Sequence, residues 1–442
     1  MKRKGAILLS LATLIVGVCF LMPESGIAQN SSQQSVETDD SFIVDLEIRP
    51  RFEYRNGFKS PIADSDTPAA FTEQRSRVYL GYQATDLELK LTVQDVRIWG
   101  DHNQIYKNDP ALTNLYEAWA LYRFDDRWST KFGRQALNYD NARFMGNLAW
   151  AQQARSHDAF LIRYRTDDFS ADAGVTFNQA NVFEPTNLTG TFYPLGGNNK
   201  SMQYVWLSKT SDAGHLSFLF HNDGRQQGQD DIAWRQTTGL NGSHAVGDIT
   251  FHGEFYYQFG EDPAGRDVSA YLINAEATAQ LNSISLTAGA DILSGTELSE
   301  SDNNSFAPLY GTNHKFYGYM DYFQVGNPYA QPGNGLNVGL INVYQKMQTS
   351  LSEELSMNVH LHEFISQTDI FDAQGSEMGS YLGTELDLVL NWSPDPAATF
   401  SLGYSQMIAT DTIIRIKGDS DVSKANSWAW VMLRINPRVL EF

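Results

Sequence analysis

Arginine residues in the first third of the chain are spaced so that they could build a path for anions. Arg49, Arg51 and Arg55 lie an even number of residues apart in a segment typical of a β-strand, so their side chains point to one face. A guanidinium group stays charged in a narrow pore and pairs with a carboxylate through two parallel hydrogen bonds. We therefore expect a basic wall that attracts carboxylate-bearing solutes. Its further members are Arg75, Arg77, Arg97, Arg134, Arg143 and Arg155.

The same arginines could instead hold a barrel in shape by pairing with acidic side chains. Suitable partners on the same or neighbouring strands are Glu47, Glu53, Glu73, Glu88 and Asp95. Pairing is the preferred interpretation for any single arginine, since lumen arginines often face lumen acids. The clustering of so many guanidinium groups favours an anion path for the set as a whole.

Other candidate sites are weaker. His360 and His362 share a strand face beside Glu363, but the sequence shows no third ligand, so we predict no metal site and no cofactor. Acidic loops around Asp230 and at residues 297–304 could hold Ca²⁺ through oxygen ligands, yet they lack the EF-hand spacing. Motifs such as HExxH and GxSxG are absent from the sequence. We expect no catalytic residue and no enzyme activity.

The strands that would position these side chains alternate strictly between two faces. Residues 45–55 carry a charged residue at every second position, with apolar or aromatic residues between them. Glu385 and Asp387 alternate with leucines in the same way near the other end of the chain. Repeated strands that are polar on one face and apolar on the other, without a long apolar helix, are typical of a transmembrane β-barrel. The predicted fold class is all-β.

The connections between predicted strands alternate between short and long. Short ones fall at residues 85–86, 125–127, 166–168 and 282–283, and long ones at 56–72, 138–156, 223–232 and 295–337. Short periplasmic turns and long extracellular loops are what outer-membrane barrels show. The count predicts an antiparallel barrel of about 18 strands, with 16 as the alternative. The long connection at 138–156 is expected to fold into the lumen as a constriction.

The first residues resemble a secretory signal peptide. Lys2, Arg3 and Lys4 precede an apolar run, and Gly26-Ile27-Ala28 fits a cleavage site, so residues 1–28 are predicted to be removed. A membrane anchor is the alternative, although the run is short for a span. Residues 29–40 are polar and predict a flexible tail. The barrel is expected over residues 41–442, with Phe442 as a signal to the barrel-assembly machinery.

Net charge is unevenly distributed along the chain. The whole sequence carries −20, which argues against nucleic acid as a partner. Residues 49–165 hold thirteen arginines and four lysines against fourteen acids, whereas residues 166–442 hold twelve basic residues against thirty-two acids. Groups that bind anions are therefore expected mainly in the first third of the chain.

One segment resembles the signature of the alginate export family. The matching residues are Gly133, Arg134, Gln135, Tyr139, Arg143, Gly146, Trp150, Arg155 and Asp158. The resemblance implies an outer-membrane porin of about eighteen strands in a Gram-negative bacterium. It also implies an anionic uronate polysaccharide as the transported solute, with membrane lipid and periplasmic export components as partners. His157 departs from the family pattern, which has an aromatic residue there.

These observations together predict a passive outer-membrane channel. Its expected solute is an anionic oligo- or polysaccharide, such as an alginate-like polyuronate, that moves through a partly arginine-lined lumen. A less selective diffusion porin for small solutes is the first alternative, favoured by the acidic excess. An outer-membrane barrel hydrolase is the second, and it would need His221 or His252 to activate a nucleophile at the rim.

Overall fold

A computed structural model describes residues 40–101, 113–179, 199–227, 231–324, 326–333, 335–417 and 421–442. The predicted signal peptide (residues 1–28) and residues 29–39 of the predicted tail lie outside the described residues. So do Asp230 of one proposed Ca²⁺ loop and parts of the predicted long connections at 100–114 and 179–200.

The regular secondary structure of the described residues is almost entirely β-strand, with one short α-helix, α1 (Asp411–Lys417), and one 3-10 turn (Asn313–Lys315). No helix in the described ranges has the length and apolar character needed to cross a membrane. The strands are β1 (Ser41–Asn56), β2 (Ala69–Gln83), β3 (Leu87–Ile98), β4 (Thr113–Arg123), β5 (Trp128–Gln135), β6 (His157–Arg165), β7 (Phe169–Phe177), β8 (Ser201–Ser211), β9 (Gly214–Gln227), β10 (Asp231–Val246), β11 (Ile249–Glu261), β12 (Asp267–Leu281), β13 (Ile284–Leu293), β14 (Leu340–Ser350), β15 (Leu355–Ile365), β16 (Tyr381–Asp395), β17 (Ala398–Ala409), β18 (Ala425–Ile435) and β19 (Arg438–Glu441).

The strands form one closed antiparallel barrel. From β1 to β17 each strand pairs with the next along the chain, and β1 closes the ring by pairing with β18 and then with β19. β18 and β19 pair with successive parts of β1 and together fill one strand position. The barrel of the described residues therefore has eighteen strand positions. The prediction of 18 strands is confirmed over the alternative of 16. Closure leaves no unpaired strand edge, as a sheet in lipid requires.

The period-two pattern separates an inner from an outer face. On β1, Glu47 and Arg51 are 2% and 4% exposed, whereas Ile48 and Phe52 are 49% and 46% exposed. Successive side chains of a strand point to opposite faces, so the charged residues lie inside and the apolar ones outside. The alternation predicted for residues 45–55 is therefore confirmed.

Short and long connections separate to the two ends of the barrel. Turns of two or three residues, such as Gly247-Asp248, join strands at the end where Phe42 stacks on Phe442. We call this the short-turn end and the opposite one the long-loop end. One predicted long connection is wrong: residues 223–232 are mostly strand, because β9 and β10 pair up to Asp231 with Gln227. The polar side chains in these residues belong to two paired strands, and their polar composition alone does not distinguish such strands from a loop.

Two long connections fold into the barrel and fill much of it. The interior loop (residues 136–156) joins β5 to β6, and the plug loop (residues 294–339) joins β13 to β14. Backbone hydrogen bonds join the loops, from Gly146 N to the Tyr310 carbonyl and from Thr312 N to the Ala142 carbonyl, both at 2.8–2.9 Å. Their buried apolar side chains form one cluster with the wall, which includes Phe144, Met145, Phe306, Phe316, Tyr317, Met320, Tyr322, Trp428 and Trp430.

Candidate functional site

Arg49 holds the interior loop against the β1 wall. Its Nε and Nη2 donate to Gln152 Oε1 at 3.0 and 2.8 Å, and its Nη1 donates to the Ala149 carbonyl at 2.9 Å. Nη2 also donates to the Trp150 carbonyl at 3.1 Å. A planar guanidinium with five donors suits such a convergent set of acceptors. The side chain is 6% exposed, so these bonds lie away from bulk water.

Arg51 and Arg75 support the same segment of the loop. Arg51 donates to the Trp150 carbonyl at 3.1 Å and stacks 4.4 Å from the Trp150 ring centroid. Arg75 donates to the Ala149 carbonyl at 3.3 Å. Both arginines also form ion pairs. Arg51 pairs with Glu53 at 2.9 Å and with Glu73. Arg75 pairs with Glu47 at 2.6 Å.

Arg77 completes the inner row on β2 and binds side chains of the wall. It donates to Gln94 Oε1 at 3.0 and 2.9 Å and lies 3.8 Å from the Tyr116 ring centroid. The structure thus brings Arg49, Arg51, Arg75 and Arg77 together on the inner face of β1 and β2. Three of them bind loop carbonyls, and each charge is balanced in part by neighbouring acids.

Two of the predicted wall arginines lie on the outer face instead. Inward-facing Arg75 lies opposite Val96 in the strand register, so Val96 faces inward and its neighbour Arg97, which lies opposite Gln74, faces outward. There Arg97 binds Asp95 at 2.6 Å. Arg134 shares the outer face with Phe132 and bonds to Asp158 at 3.0 Å, with 43% and 59% exposure. The placement of Arg97 and Arg134 in the lumen was wrong.

Arg143 fastens the interior loop to the far wall. Its Nε lies 3.0 Å from Glu254 of β11, and its Nη1 lies 3.0 Å from Asp291 of β13. Burial alone would lower the pKa of Arg143, but the carboxylates of Asp291 and Glu254 outweigh it and raise the pKa well above its ordinary value. The guanidinium therefore stays charged, and it also lies 3.9 Å from the Phe316 ring centroid.

Tyr139 ties the start of the loop to a third part of the wall. Its hydroxyl donates to Asp172 Oδ2 of β7 at 2.9 Å and lies 2.9 Å from the Tyr204 hydroxyl of β8. Burial is the largest cause that raises the pKa of Tyr139, followed by Tyr204 and Asp172, so the phenol remains a donor. With Arg49 and Arg143, this contact anchors the loop at three points around the barrel.

Other residues of the recognised motif allow the two loops to dock. Gly146 is needed because a Cβ there would lie 2.3 Å from Thr312 Oγ1 of the plug loop. Trp150 stacks on His314 with 4.8 Å between ring centroids, and Arg155 donates to the Tyr310 carbonyl.

At the base of the loop, Gly133 has φ +112° on β5, and a Cβ there would lie 2.3 Å from the Ala118 carbonyl oxygen. Gln135 donates to the Ala159 carbonyl at 3.1 Å, which binds the end of β5 to β6.

The plug loop was missed as a functional element by sequence reasoning. Its Met320 amide donates to Glu385 at 2.7 Å, and its Tyr322 hydroxyl donates to the Gly57 carbonyl at 2.9 Å. The signal was present in the sequence as a run of aromatic residues between 306 and 329, which an exposed loop would not carry.

Two cavities flank the interior loop, one on each side. The upper cavity, of about 180 Å³, opens toward the long-loop end and is lined by three basic side chains, Arg51, Arg55 and Lys59, and by two acidic ones, Glu73 and Asp321. The lower cavity, of about 220 Å³, lies toward the short-turn end. Its basic side chains are Lys131, Arg163 and Arg165, and its acidic ones are Asp140 and Asp172.

Replacing Arg49 with lysine is expected to loosen the interior loop, because Arg49 uses three separate nitrogens to reach Gln152 and two loop carbonyls, and a compact ammonium has only one nitrogen. Single-channel recordings should show more current noise, and added protease should cut within residues 147–153 more rapidly. Arg97→Lys, on the outer face, is the matched control and should leave both readouts unchanged. Equal loop cleavage in wild type and Arg49→Lys would contradict the anchoring role of Arg49.

The sequence profile of the alginate export family matches residues 41–426. No curated protein matches the chain. Among solved structures, Pseudomonas aeruginosa OpdK with vanillate is 13% identical, with a TM-score of 0.55 and 91% of this chain and 99% of that chain covered. Acinetobacter baumannii OccAB4 is 12% identical, with a TM-score of 0.58 and coverage of 93% and 100%.

Pseudomonas aeruginosa OccK5 (OpdH) is 11% identical, with a TM-score of 0.57 and coverage of 90% and 98%. At these identities the solved structures establish the barrel fold alone. The family profile, in contrast, covers nearly the whole barrel. The chain therefore belongs to the alginate export family and is an outer-membrane β-barrel channel of a Gram-negative bacterium.

Proposed function

We propose that the barrel is a passive channel for carboxylate-bearing oligosaccharides such as uronate fragments. The observation that carries this proposal is the pair of cavities on the two sides of the interior loop. Each combines three basic side chains with two acidic ones, and each also presents aromatic rings. A solute that moves past the loop would meet the same chemistry before and after it.

The lining groups suit a charged sugar. Trp150 and Trp428 in the upper cavity and Tyr139 and Trp206 in the lower one offer apolar faces on which a sugar ring can stack. Guanidinium and ammonium groups beside them can pair with the uronate carboxylate. Because acids neutralise most of this charge, the attraction stays weak enough for release.

The opposite part of the inner wall is acidic, and this strengthens the proposal. Strands β11 to β16 contribute inward carboxylates that are 0–4% exposed: Glu254, Asp291, Glu385 and Asp387. A basic wall facing an acidic one creates a field across the lumen, which would keep an anion beside β1 and β2. The uneven charge along the sequence is thus consistent with an anion path on one side.

Small carboxylates are the second candidate solutes, and the packed interior favours them. The cavities of about 180 and 220 Å³ are smaller than the ~300–1,000 Å³ typical of sites for drug-sized ligands. The structural relative OpdK was solved with vanillate, a small ligand. A channel of this kind would admit single sugar acids but exclude longer chains.

A catalytic role receives no support from the two histidines that a hydrolase would need. His221 is fully buried, with ring centroids 5.3 Å from Phe144 and 5.6 Å from Tyr310, and it lies away from the rim. His252 hydrogen bonds to the side chains of Asn241 and Asn274 rather than to a hydroxyl. We therefore propose transport rather than hydrolysis as the function of the barrel.

The test is ion selectivity and solute blockade in planar bilayers. At low salt the wild-type channel should prefer anions, and the preference should fade as salt screens the wall. Arg55→Gln with Lys59→Gln should shift the reversal potential toward cations, because both changes remove charge from the upper cavity. Arg97→Gln removes one charge from the outer face and should not shift it.

Added solutes distinguish the two candidates. A short oligouronate should interrupt the current, whereas a neutral oligosaccharide of the same length should not. Interruption by a monomeric sugar acid but not by its oligomer would favour the small-solute candidate. A wild-type channel that prefers cations at low salt would contradict both.

A further inference from the structure

Four side chains that can bind metal form a square on the inner face of β15 and β16. His360 and His362 alternate along β15, and Glu385 and Asp387 alternate along β16. In the strand register, His360 lies opposite Asp387, and His362 lies opposite Glu385. The third ligand that the sequence lacked beside the two histidines therefore comes from the neighbouring strand.

The geometry fits a small cation. Ligand atoms of His360, His362 and Asp387 all lie within 4.8 Å of one another, and His362 Nε2 is 4.0 Å from Asp387 Oδ2. Around a tetrahedral Zn²⁺ with bonds of about 2.1 Å, ligand atoms stand about 3.4 Å apart. Small side-chain rotations would close that difference.

A hydrogen bond to Asn342 places the proton of His362 on Nδ1. The other ring nitrogen, Nε2, which faces Asp387, therefore has no proton to donate to that carboxylate. His362 Nδ1 lies 2.9 Å from Asn342 Oδ1. The Asn342 amide nitrogen already donates to Asp291 at 2.9 Å and to the Phe316 carbonyl at 3.1 Å, which sets the orientation of the amide. His362 must therefore donate from Nδ1, and its Nε2 carries a lone pair that faces a carboxylate. Metal-bound histidines are held by the same kind of second hydrogen bond.

The carboxylates and His360 also have unused binding capacity. Nδ1 of His360, Oδ1 of Asp387 and Oε2 of Glu385 are buried without a hydrogen bond of normal geometry. Glu385 and Asp387 are both 0% exposed. Lys346 lies across from His360, but its ammonium sits 4.4 Å from the Tyr344 ring centroid. Buried polar atoms without a hydrogen bond are costly, so a cation in the square would satisfy several of these atoms at once.

We propose that His360, His362 and Asp387 bind one divalent transition metal ion of the zinc type, with Glu385 as a neighbouring carboxylate. Imidazole nitrogens favour zinc, nickel or copper over calcium and magnesium, which prefer all-oxygen sites. This proposal does not depend on which solute the channel carries, although a bound ion would reduce the negative charge that Glu385 and Asp387 give to the acidic wall.

A bound ion would strengthen the contact between the plug loop and the barrel wall. The Met320 amide donates to Glu385 at 2.7 Å, and the Tyr319 amide donates to Asp387 at 3.4 Å. An ion on these carboxylates fixes the side chains that hold the loop. Metal binding is therefore expected to make the plug loop harder to displace.

The experiment uses the purified full-length barrel with an affinity tag that contains no histidine. Zn²⁺ is titrated by calorimetry, and retained metal is counted by mass spectrometry after desalting. Co²⁺ serves as a second probe, because its visible absorption reports nitrogen and oxygen ligation. Wild type should retain about one ion per chain, and His362→Asn and Asp387→Asn should each abolish stoichiometric binding.

Folding is checked for every variant by the heat-dependent shift of barrels in gel electrophoresis. His244→Asn changes an exposed histidine of β10 and should bind metal as wild type does. Failure of the folded wild-type protein to bind either ion overturns the proposal even if the variants do not fold. Equal binding by wild type and a folded His362→Asn variant also overturns it, since the ions would then sit elsewhere.

Discussion

Replacing residues 142–151 with a short glycine–serine linker should raise single-channel conductance severalfold and reduce anion preference at the same time. These residues include Phe144 and Met145, which are 2% and 1% exposed inside the barrel, and Trp150, which packs against Trp430. Their removal opens the region between the two cavities. It also removes the carbonyls that Arg49 binds and the charge of Arg143, so the narrowest part of the path loses its fixed chemistry.

The barrel itself should still assemble, because its ladder is closed without the loop. Heat-dependent gel mobility reports assembly, and planar-bilayer recording reports conductance. The matched control replaces residues 373–375, which lie in an exposed hairpin between Phe371 and Glu377, and it should not change the conductance. An assembled barrel with unchanged conductance after removal of 142–151 would show that ions pass elsewhere.

The sequence was sufficient to predict the barrel and its inner face on β1. A strand has a period of two, so charged residues at alternate positions define a face without any knowledge of the partner strand. Glu47, Arg49 and Arg51 are buried inside for that reason. The alternation of short and long connections predicted the strand number, with 16 and 18 as the two possibilities.

Periodicity shows which residues share a face, but charge alone does not show which face is inside. Arg97 and Arg134 were assigned to the lumen because they are arginines, yet both point outward. Phe132, two residues before Arg134, is 50% exposed and marks the outer face of β5. The apolar neighbour of Arg134 on the same face of β5 therefore indicates that Arg134 points outward.

Contacts between distant segments could not be predicted from one sequence. Trp150 stacks on His314 across more than 160 residues, and Asp387 reaches the histidines through the register of β15 with β16. Neither contact follows from local spacing, because a closed barrel places any inward residue near loops from other parts of the chain. For this reason the contact partners of the plug loop, and the placement of Asp387 beside the two histidines, require the three-dimensional structure.

Arg143→Met should destabilise the folded barrel by about 3–5 kcal/mol, because it leaves two buried carboxylates without their cation. The side chains of Glu254 and Asp291 are each 0% exposed in these ion pairs. The remaining hydrogen bonds, from Asn141 to Glu254 and from Asn274 and Asn342 to Asp291, are dipolar and do not cancel a charge. Urea unfolding in detergent, followed by tryptophan fluorescence, measures the loss.

The control for charge is the triple variant Arg143→Met, Glu254→Gln, Asp291→Asn, which should recover most of the stability because no charge remains unpaired. Arg163→Met is the control for a partly exposed pair and should cost about 0–1 kcal/mol. Arg163 is 28% exposed, and Asp172 keeps Arg165 at 2.6 Å after the change. If the triple variant is as unstable as Arg143→Met, the contribution of Arg143 comes from its packing on Phe316 rather than from its charge. The anchor would then act by shape, and Arg143→Lys would fail for the same reason.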